Sequence, residues 1–396
     1  MDLNDARAAQ ALLTGVSEVT QLAHSRWLHE RIGQDVYLKC ENLQRTGSFK
    51  IRGAYTRIAR LDDAQRANGV VAASAGNHAQ GVALAASMLG TTATIFMPHG
   101  AALPKVQATR GYGAEVRFAG VGVTDALVSA QEYADETGAI LIHPFDHSDI
   151  VAGQATVGLE IIEQLPSVST ILVPLGGGGL AAGVALLKSE HPYIKVIGVQ
   201  AESAAAYPDS LAEGMPIEAN LGSTMADGIA VAKPGDVPFE LITKYLDDVI
   251  MVSEESMSQA LIGLLERGKL LVEPAGAVAV AALLAHPDRF TGPIVPILSG
   301  GNIDALLLLE VIRHGLASAG RFLMFHVRIT DRPGELMRLL TALAEMDVNI
   351  LNVHHDRGSE ALGVREVDVA LQVATRGSAH REEVRERLAD LGYVLY

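Results

Sequence analysis

Lys50 stands in the segment TGSFKIRGA, residues 46–54, between Phe49 and Ile51, where a glycine-flanked apolar stretch turns into a helix. An ordinary lysine amine, with a pKa of ~10.4, is protonated and a poor nucleophile. Aromatic and aliphatic neighbours in a dry site disfavour the ammonium and lower that value, and such an amine can hold an aldehyde as a Schiff base. A surface lysine opening an ordinary helix reads the same in isolation, so the companions of Lys50 decide.

Three further segments accompany it. In VVAASAGNHAQGVALAA, residues 70–86, an apolar run stops at a small polar cluster and resumes as an Ala-rich helix. Ser74, Asn77 and His78 therefore lie at a helix N-terminus, where backbone N–H groups favour a carboxylate or a ring hydroxyl. In TILVPLGGGGLAAGVALL, residues 170–187, four consecutive glycines separate a buried strand from a helix. Such a backbone can wrap a phosphate with no side chain in the way, whereas a simple βα turn needs fewer glycines. In ILSGGNID, residues 297–304, a strand ends at Ser299, a hydroxyl able to meet a ring nitrogen or merely to cap the next helix.

A rival reading exists. Gly176, Gly178 and Ala181 fit G-x-G-x-x-A, and the strand-like KVIGVQAE ends at Glu202, near the spacing of about twenty residues that a dinucleotide fold uses. An NAD-dependent oxidoreductase would, however, leave Lys50 and the segment around Asn77 without a task.

In order, TGSFKIRGA, SAGNHAQG, PLGGGGL and SGGN resemble the pyridoxal-phosphate enzymes of the tryptophan synthase β type, and within them the threonine ammonia-lyases (threonine dehydratases), over residues 15–315. The resemblance implies that Lys50 carries pyridoxal 5'-phosphate as a Schiff base, that Phe49 lies against the ring and Asn77 bonds its 3′-oxygen. It further implies that Gly176, Gly177, Gly178, Gly179 and Leu180 hold the phosphate, and that Ser299 faces the pyridine nitrogen. Lys50 and Ser74 take the catalytic assignments, with Ser74, Asn77 and His78 on the substrate carboxylate.

The neutral hydroxyl of Ser299 matters because a carboxylate there would keep the ring nitrogen protonated and suit transamination. The hydroxyl leaves expulsion of a group from Cβ competitive. The reaction implied is removal of the Cα proton by Lys50 and loss of the β-hydroxyl, yielding a 2-oxo acid and ammonia. Related serine racemases carry a serine directly before Gly-Asn-His as a second acid/base; Ala75 holds that position and favours a lyase. Those relatives bind a divalent metal near the equivalent of Glu202, using a carboxylate where Pro208 stands, so no metal is assigned. Ala155 replaces a usual glycine, a departure the sequence does not explain.

Composition fits this class. A chain of 396 residues exceeds the ~250 to 300 at which one core stops growing. The formal charge of -15 disfavours nucleic acid and anionic membrane surfaces. The single cysteine, Cys40 in the strand-like VYLKC, is expected to be buried and inert. The N-terminus lacks a signal-peptide pattern and no run approaches a membrane span, so a cytoplasmic protein is expected. His143 and His147 in HPFDHSD look metal-like, but Pro144 makes the segment a turn before a helix beginning near Ala152.

Strand-like runs from VYLKC to IVPILSG alternate with helical periods, the pattern of open, mainly parallel α/β layers. The family implies a two-lobed fold-type-II catalytic domain over 1–320, its small lobe, about 45–145, inserted in the large one. From Arg321 the pattern changes: Leu323, Phe325, Val327 and Ile329 alternate as on a half-buried strand, and Leu336, Leu339, Leu340 and Leu343 recur at helical spacing. VNILNVHH, VREVDVALQV, a charged helix and a last short strand complete βαββαβ, a ferredoxin-like unit.

With its DRPGEL turn, the segment 321–396 resembles an ACT domain, a regulatory unit that binds amino acids between paired copies. Asp331, Arg332, Pro333, Gly334, Asn349 and Asn352 are the candidate effector contacts, with isoleucine or valine as effector; the module could instead only join subunits. The expected protein is a homo-oligomeric (dimer or tetramer) threonine ammonia-lyase of isoleucine biosynthesis or threonine catabolism. A serine or hydroxyaspartate lyase on the same scaffold, and a catalytically silent amino-acid sensor, are the other readings.

Overall fold

A computed structural model describes residues 1–358 and 362–396. The chain divides into two compact units, Met1–Leu307 and Leu308–Tyr396. The division falls inside the helix Ala305–Ser318, not at residue 320 as the sequence led us to expect. The reason is local: Arg381 donates to the Ala317 carbonyl at 3.3 Å and Thr375 Oγ1 to Gly320 O at 2.5 Å, tying the end of that helix to the C-terminal unit.

The first unit contains two parallel sheets. In the larger, Thr170–Pro174 lies between Ile294–Pro296 and Lys195–Ala201, with Asp248–Val252 beyond the latter. Every residue of Thr170–Pro174 is buried, as a parallel strand covered by helices on both faces requires. A short antiparallel pair, Leu22–His24 with Tyr37–Lys39, continues this sheet through parallel bridges from Val36 to Ile294 and from Lys39 to Ile297. Leu22–His24 was not legible in the sequence. In the smaller sheet Val70–Ala73 lies between Ala93–Met97 and Ile140–Leu141, and Glu115–Phe118 forms the edge.

Two helices from this unit set the cleft. Lys50–Ala59 crosses Ser148–Gln164 so closely that a Cβ on Gly153 would meet Arg52 O at 2.5 Å. The latter helix begins at Ser148, earlier than the expected Ala152, because the His147 imidazole accepts the Asp149 N–H at 3.0 Å and caps it. The alanine at 155 now has a setting: it is fully buried against Gly183, whose added Cβ would stand 2.7 Å from Ala155 N. Cys40 is buried, and burial pushes its thiol up to about 11.

The second unit is a three-stranded antiparallel sheet in the order Phe322–Thr330, Glu366–Ala374, Asn349–Asp356, with helices Glu335–Glu345 and Ser378–Asp390. Leu323, Phe325, Val327 and Ile329 bury one face with Val367, Val369, Leu371 and Val373, against Leu339, Leu343, Val384 and Leu388. The expected final strand is reduced to a single antiparallel bridge between Val327 and Leu395. Among the described residues no helix is long and apolar enough to cross a membrane.

Candidate active site

Backbone pairing joins the lysine segment to the serine–glycine segment. Ser48 forms an antiparallel bridge with Gly300, Phe49 N–H donates to Ser299 O at 3.2 Å, and Gly301 N–H donates to Gly47 O at 2.8 Å. Thr46, with φ 63°, sits in the left-handed region disfavoured for a β-branched residue. Its carbonyl is held there by Asn302 Nδ2 at 2.6 Å. Lys50 opens its helix half-buried, with Nζ donating to Pro144 O at 3.0 Å and lying 5.2 Å from the centre of the Phe49 ring. Burial lowers the Lys50 amine to about 8, against the opposing influence of Glu273.

The polar cluster reaches the same place from the small sheet. Asn77 opens the helix Asn77–Met88; its Nδ2 donates to Glu273 Oε1 at 2.6 Å and its Oδ1 accepts from Asn302 Nδ2 at 2.8 Å. Ser74 Oγ accepts the Gly76 N–H at 3.1 Å, shaping the loop before the helix. The side chain of His78 departs from expectation. Its ring is buried with Nε2 2.7 Å from Ile142 O, and burial lowers its pKa to about 3, so it is a neutral donor to that carbonyl. What His78 offers a carboxylate is its backbone N–H in the first helical turn.

The glycine loop joins through Phe145, the neighbour of the carbonyl that receives Lys50. A Cβ on Gly177 would fall 2.4 Å from the Phe145 ring, and one on Gly178, at φ 102°, 2.0 Å from the Tyr207 hydroxyl. Tyr207 O–H and Gly235 N–H both donate to Gly177 O, at 3.2 and 3.1 Å. The protein wall behind the loop thus leaves no room for side chains, and the loop's carbonyl at Gly177 is turned into that wall. Gly176 and the buried Leu180, at the turn of the helix Gly179–Ala185, complete it.

Sequence reasoning missed two groups. Glu273 is buried, and its carboxyl is pushed up to about 7 by burial and by Asp227, with Asn77, Lys105 and Lys50 pulling the other way. The available signal was an acid immediately before Pro274, at the head of the wholly apolar AGAVAVAALLA. The second is a buried ion network beneath Lys50. Arg52 makes paired bonds of 2.8 Å to both oxygens of Glu41 and bonds of 2.6 and 3.0 Å to Glu160, while Lys39 donates to Glu160 at 2.5 Å. Two cations balance two anions there, and the helix that presents Lys50 is anchored by it.

The residues present suit pyridoxal phosphate. An amine lowered toward neutrality stands near a glycine loop walled off from side chains, and the buried hydroxyls of Thr46 and Ser48 beside it have no hydrogen-bond partner within the described chain. The chain belongs to the family of pyridoxal-phosphate-dependent enzymes, whose profile matches residues 13–300. It is 45% identical over 392 residues, 99% of this chain and 98% of the relative, to an L-threonine ammonia-lyase of Thermotoga maritima. It superposes on threonine deaminase isoform 2 of Solanum lycopersicum with TM-score 0.75 and 37% identity, covering 78% of this chain and 86% of the other. Maize serine racemase gives TM-score 0.74 and 35% identity, covering 80% and 98%. The dinucleotide reading of Gly176, Gly178, Ala181 and Glu202 is thereby overturned, and pyridoxal phosphate is the cofactor.

In the second unit, the turn Asp331–Gly334 borders a cavity of about 310 Å³ together with Ile329, His355 and Arg357. Arg357 grips Asp331 through two bonds of 2.9 and 3.0 Å. Asn349 and Asn352 do not line this cavity: both are exposed and lie opposite Ala374 and Gln372 in the sheet. The one-residue shift between Ile350 and Asn352 sets these two residues, three apart in sequence, opposite partners only two apart.

Proposed function

We propose that this enzyme deaminates L-threonine to 2-oxobutanoate and ammonia by β-elimination of the hydroxyl, with L-serine giving pyruvate more slowly. The observation that carries the reading is Lys50, a desolvated amine at about 8 on the one side of the cleft, with Ala75 in place of a second acid/base. Similarity along nearly the whole chain to a protein named L-threonine ammonia-lyase supports the substrate.

When bound, pyridoxal phosphate supplies the electron sink that acidifies the substrate Cα–H. Lys50 Nζ would hold its aldehyde carbon, Phe49 would lie against its ring, Asn77 would meet the ring oxygen, the backbone of Gly176 to Leu180 would take the phosphate and Ser299 the ring nitrogen. The Lys50 amine would take the Cα proton; its lowered pKa leaves a useful fraction unprotonated near neutrality. Ser74 and the N–H groups of Asn77 and His78 orient the substrate carboxylate at the start of the helix Asn77–Met88. Glu273, through Asn77, keeps that amide fixed.

One methyl in an apolar pocket discriminates by only ~1 to 3 kcal/mol, so serine turnover accompanies threonine turnover. The second unit acts as an ACT-type regulatory module, binding isoleucine or valine at Asp331 to Gly334 where two modules pair in a homo-oligomer, and the enzyme works in the cytoplasm, in isoleucine synthesis or threonine breakdown. Product analysis tests the catalytic reading: 2-oxobutanoate and ammonia in equal amounts from L-threonine support it. Fast formation of D-serine from L-serine on chiral chromatography overturns the lyase, and faster turnover of L-serine or hydroxyaspartate reassigns the substrate.

A further inference from the structure

His24, His29 and Asp35 bring three metal-ligating atoms together outside the catalytic constellation. His29 Nδ1 lies 3.1 Å and His24 Nε2 3.6 Å from the same Asp35 Oδ1, and all three atoms fall within 4.8 Å of one another. We propose that these residues form a binding site for a borderline transition-metal dication, with Zn2+ as the representative ion. Bonds of ~2.0 to 2.2 Å around tetrahedral zinc set ligand atoms about 3.4 Å apart. Two of the observed separations straddle that value, and rotation of exposed imidazoles brings in the third.

The backbone supporting the three side chains is already fixed. His24 ends the strand Leu22–His24 opposite Tyr37, whose ring stands edge-on to it at 5.1 Å. His29 sits on the helix Arg26–Ile32, which Ser25 caps at one end and Gly33, at φ 76°, closes at the other. Asp35 follows directly, its carbonyl accepting the Ile294 N–H at 2.9 Å while Ser25 N–H donates to Val36 O at 2.8 Å. Metal binding therefore orders little beyond the ligand side chains, which keeps the entropic cost low.

The donor set selects the ion. Two imidazoles and one carboxylate match zinc and its neighbours, whereas calcium and magnesium take oxygen ligands. All three residues are exposed, which leaves the remaining coordination position to water. The formal charge of -15 raises the local concentration of cations. A bound ion would cross-link the strand Leu22–His24, the helix Arg26–Ile32 and the loop that leads from that helix to Tyr37–Lys39, a stabilising role.

The test titrates chelator-dialysed holoenzyme with zinc chloride by calorimetry and follows its apparent melting temperature, comparing wild type with His24→Asn, His29→Asn and Asp35→Asn. Exposed substitutions of this kind leave the fold intact, which melting without zinc verifies. The expected result is one equivalent bound with micromolar affinity or better, weakened about tenfold or more in each variant, and a zinc-dependent rise in melting temperature seen in wild type alone. Absence of stoichiometric binding at micromolar zinc, or a change smaller than tenfold in the variants, overturns the site and leaves an ion-paired cluster only.

Discussion

Asn77 Nδ2 and Glu273 Oε1 are joined at 2.6 Å, so the amide that opens the helix Asn77–Met88 is held by an acid from the opposite lobe. Burial raises the Glu273 carboxyl to about 7 from an ordinary 4.5. A raised folded-state pKa stabilises the fold fully below the unfolded value, and that contribution is lost as pH climbs through the folded one. Glu273→Gln keeps the acceptor for Asn77 and removes the ionisation. The difference in unfolding free energy between wild type and this variant, both without cofactor, should shift against wild type by up to about 3 kcal/mol between pH 4.5 and pH 7.5. Denaturant unfolding at several pH values measures it, and a pH-independent difference would refute the assignment.

Arg52 is fully buried between Glu41 and Glu160. Arg52→Met leaves two buried carboxylates with Lys39 as their remaining cation, and breaking such a network by removing one partner costs ~3 to 5 kcal/mol. The denaturation midpoint should fall accordingly. A midpoint unchanged from wild type would mean that the network is neutral.

Gly178 combines φ 102° with a virtual Cβ 2.0 Å from the Tyr207 hydroxyl. Gly178→Ala should therefore cost on the order of 2 to 4 kcal/mol, from backbone strain and overpacking together, and loosen cofactor retention. Dialysis followed by visible absorbance reads the retained cofactor; full retention contradicts the role given to this loop.

The four motif segments were legible because each couples an unusual composition to a strand–helix junction: Lys50 after TGSF, Asn77 after VVAASAG, four glycines after TILVPL, Ser299 before GGN. The parallel sheets were legible from apolar runs, and Phe322–Thr330 from its alternation. Long-range partners were not. Arg52, Glu41 and Glu160 look like surface charges until the helices Lys50–Ala59 and Ser148–Gln164 cross, and His78 looks like a ligand until Ile142 O takes its ring nitrogen. Asn349 and Asn352 stand on the strand read from VNILNVHH, but the one-residue shift between Ile350 and Asn352, which sets how they face, was not legible.

Asp331 and Arg357 border the cavity of the second unit and bind each other. Isoleucine should bind the full-length protein in calorimetry, and Asp331→Ala, which frees Arg357, should weaken that binding about tenfold, or ~1.4 kcal/mol. Absence of heat with isoleucine and with valine would reduce the module to an assembly device.

Lys50 as the residue that holds the cofactor is the claim on which the enzyme rests. Borohydride reduction of the holoenzyme followed by peptide mapping should place one pyridoxyl group on Lys50, and Lys50→Ala should lose both the label and turnover. A label on any other lysine, or a Lys50→Ala variant that still deaminates threonine, would contradict the account.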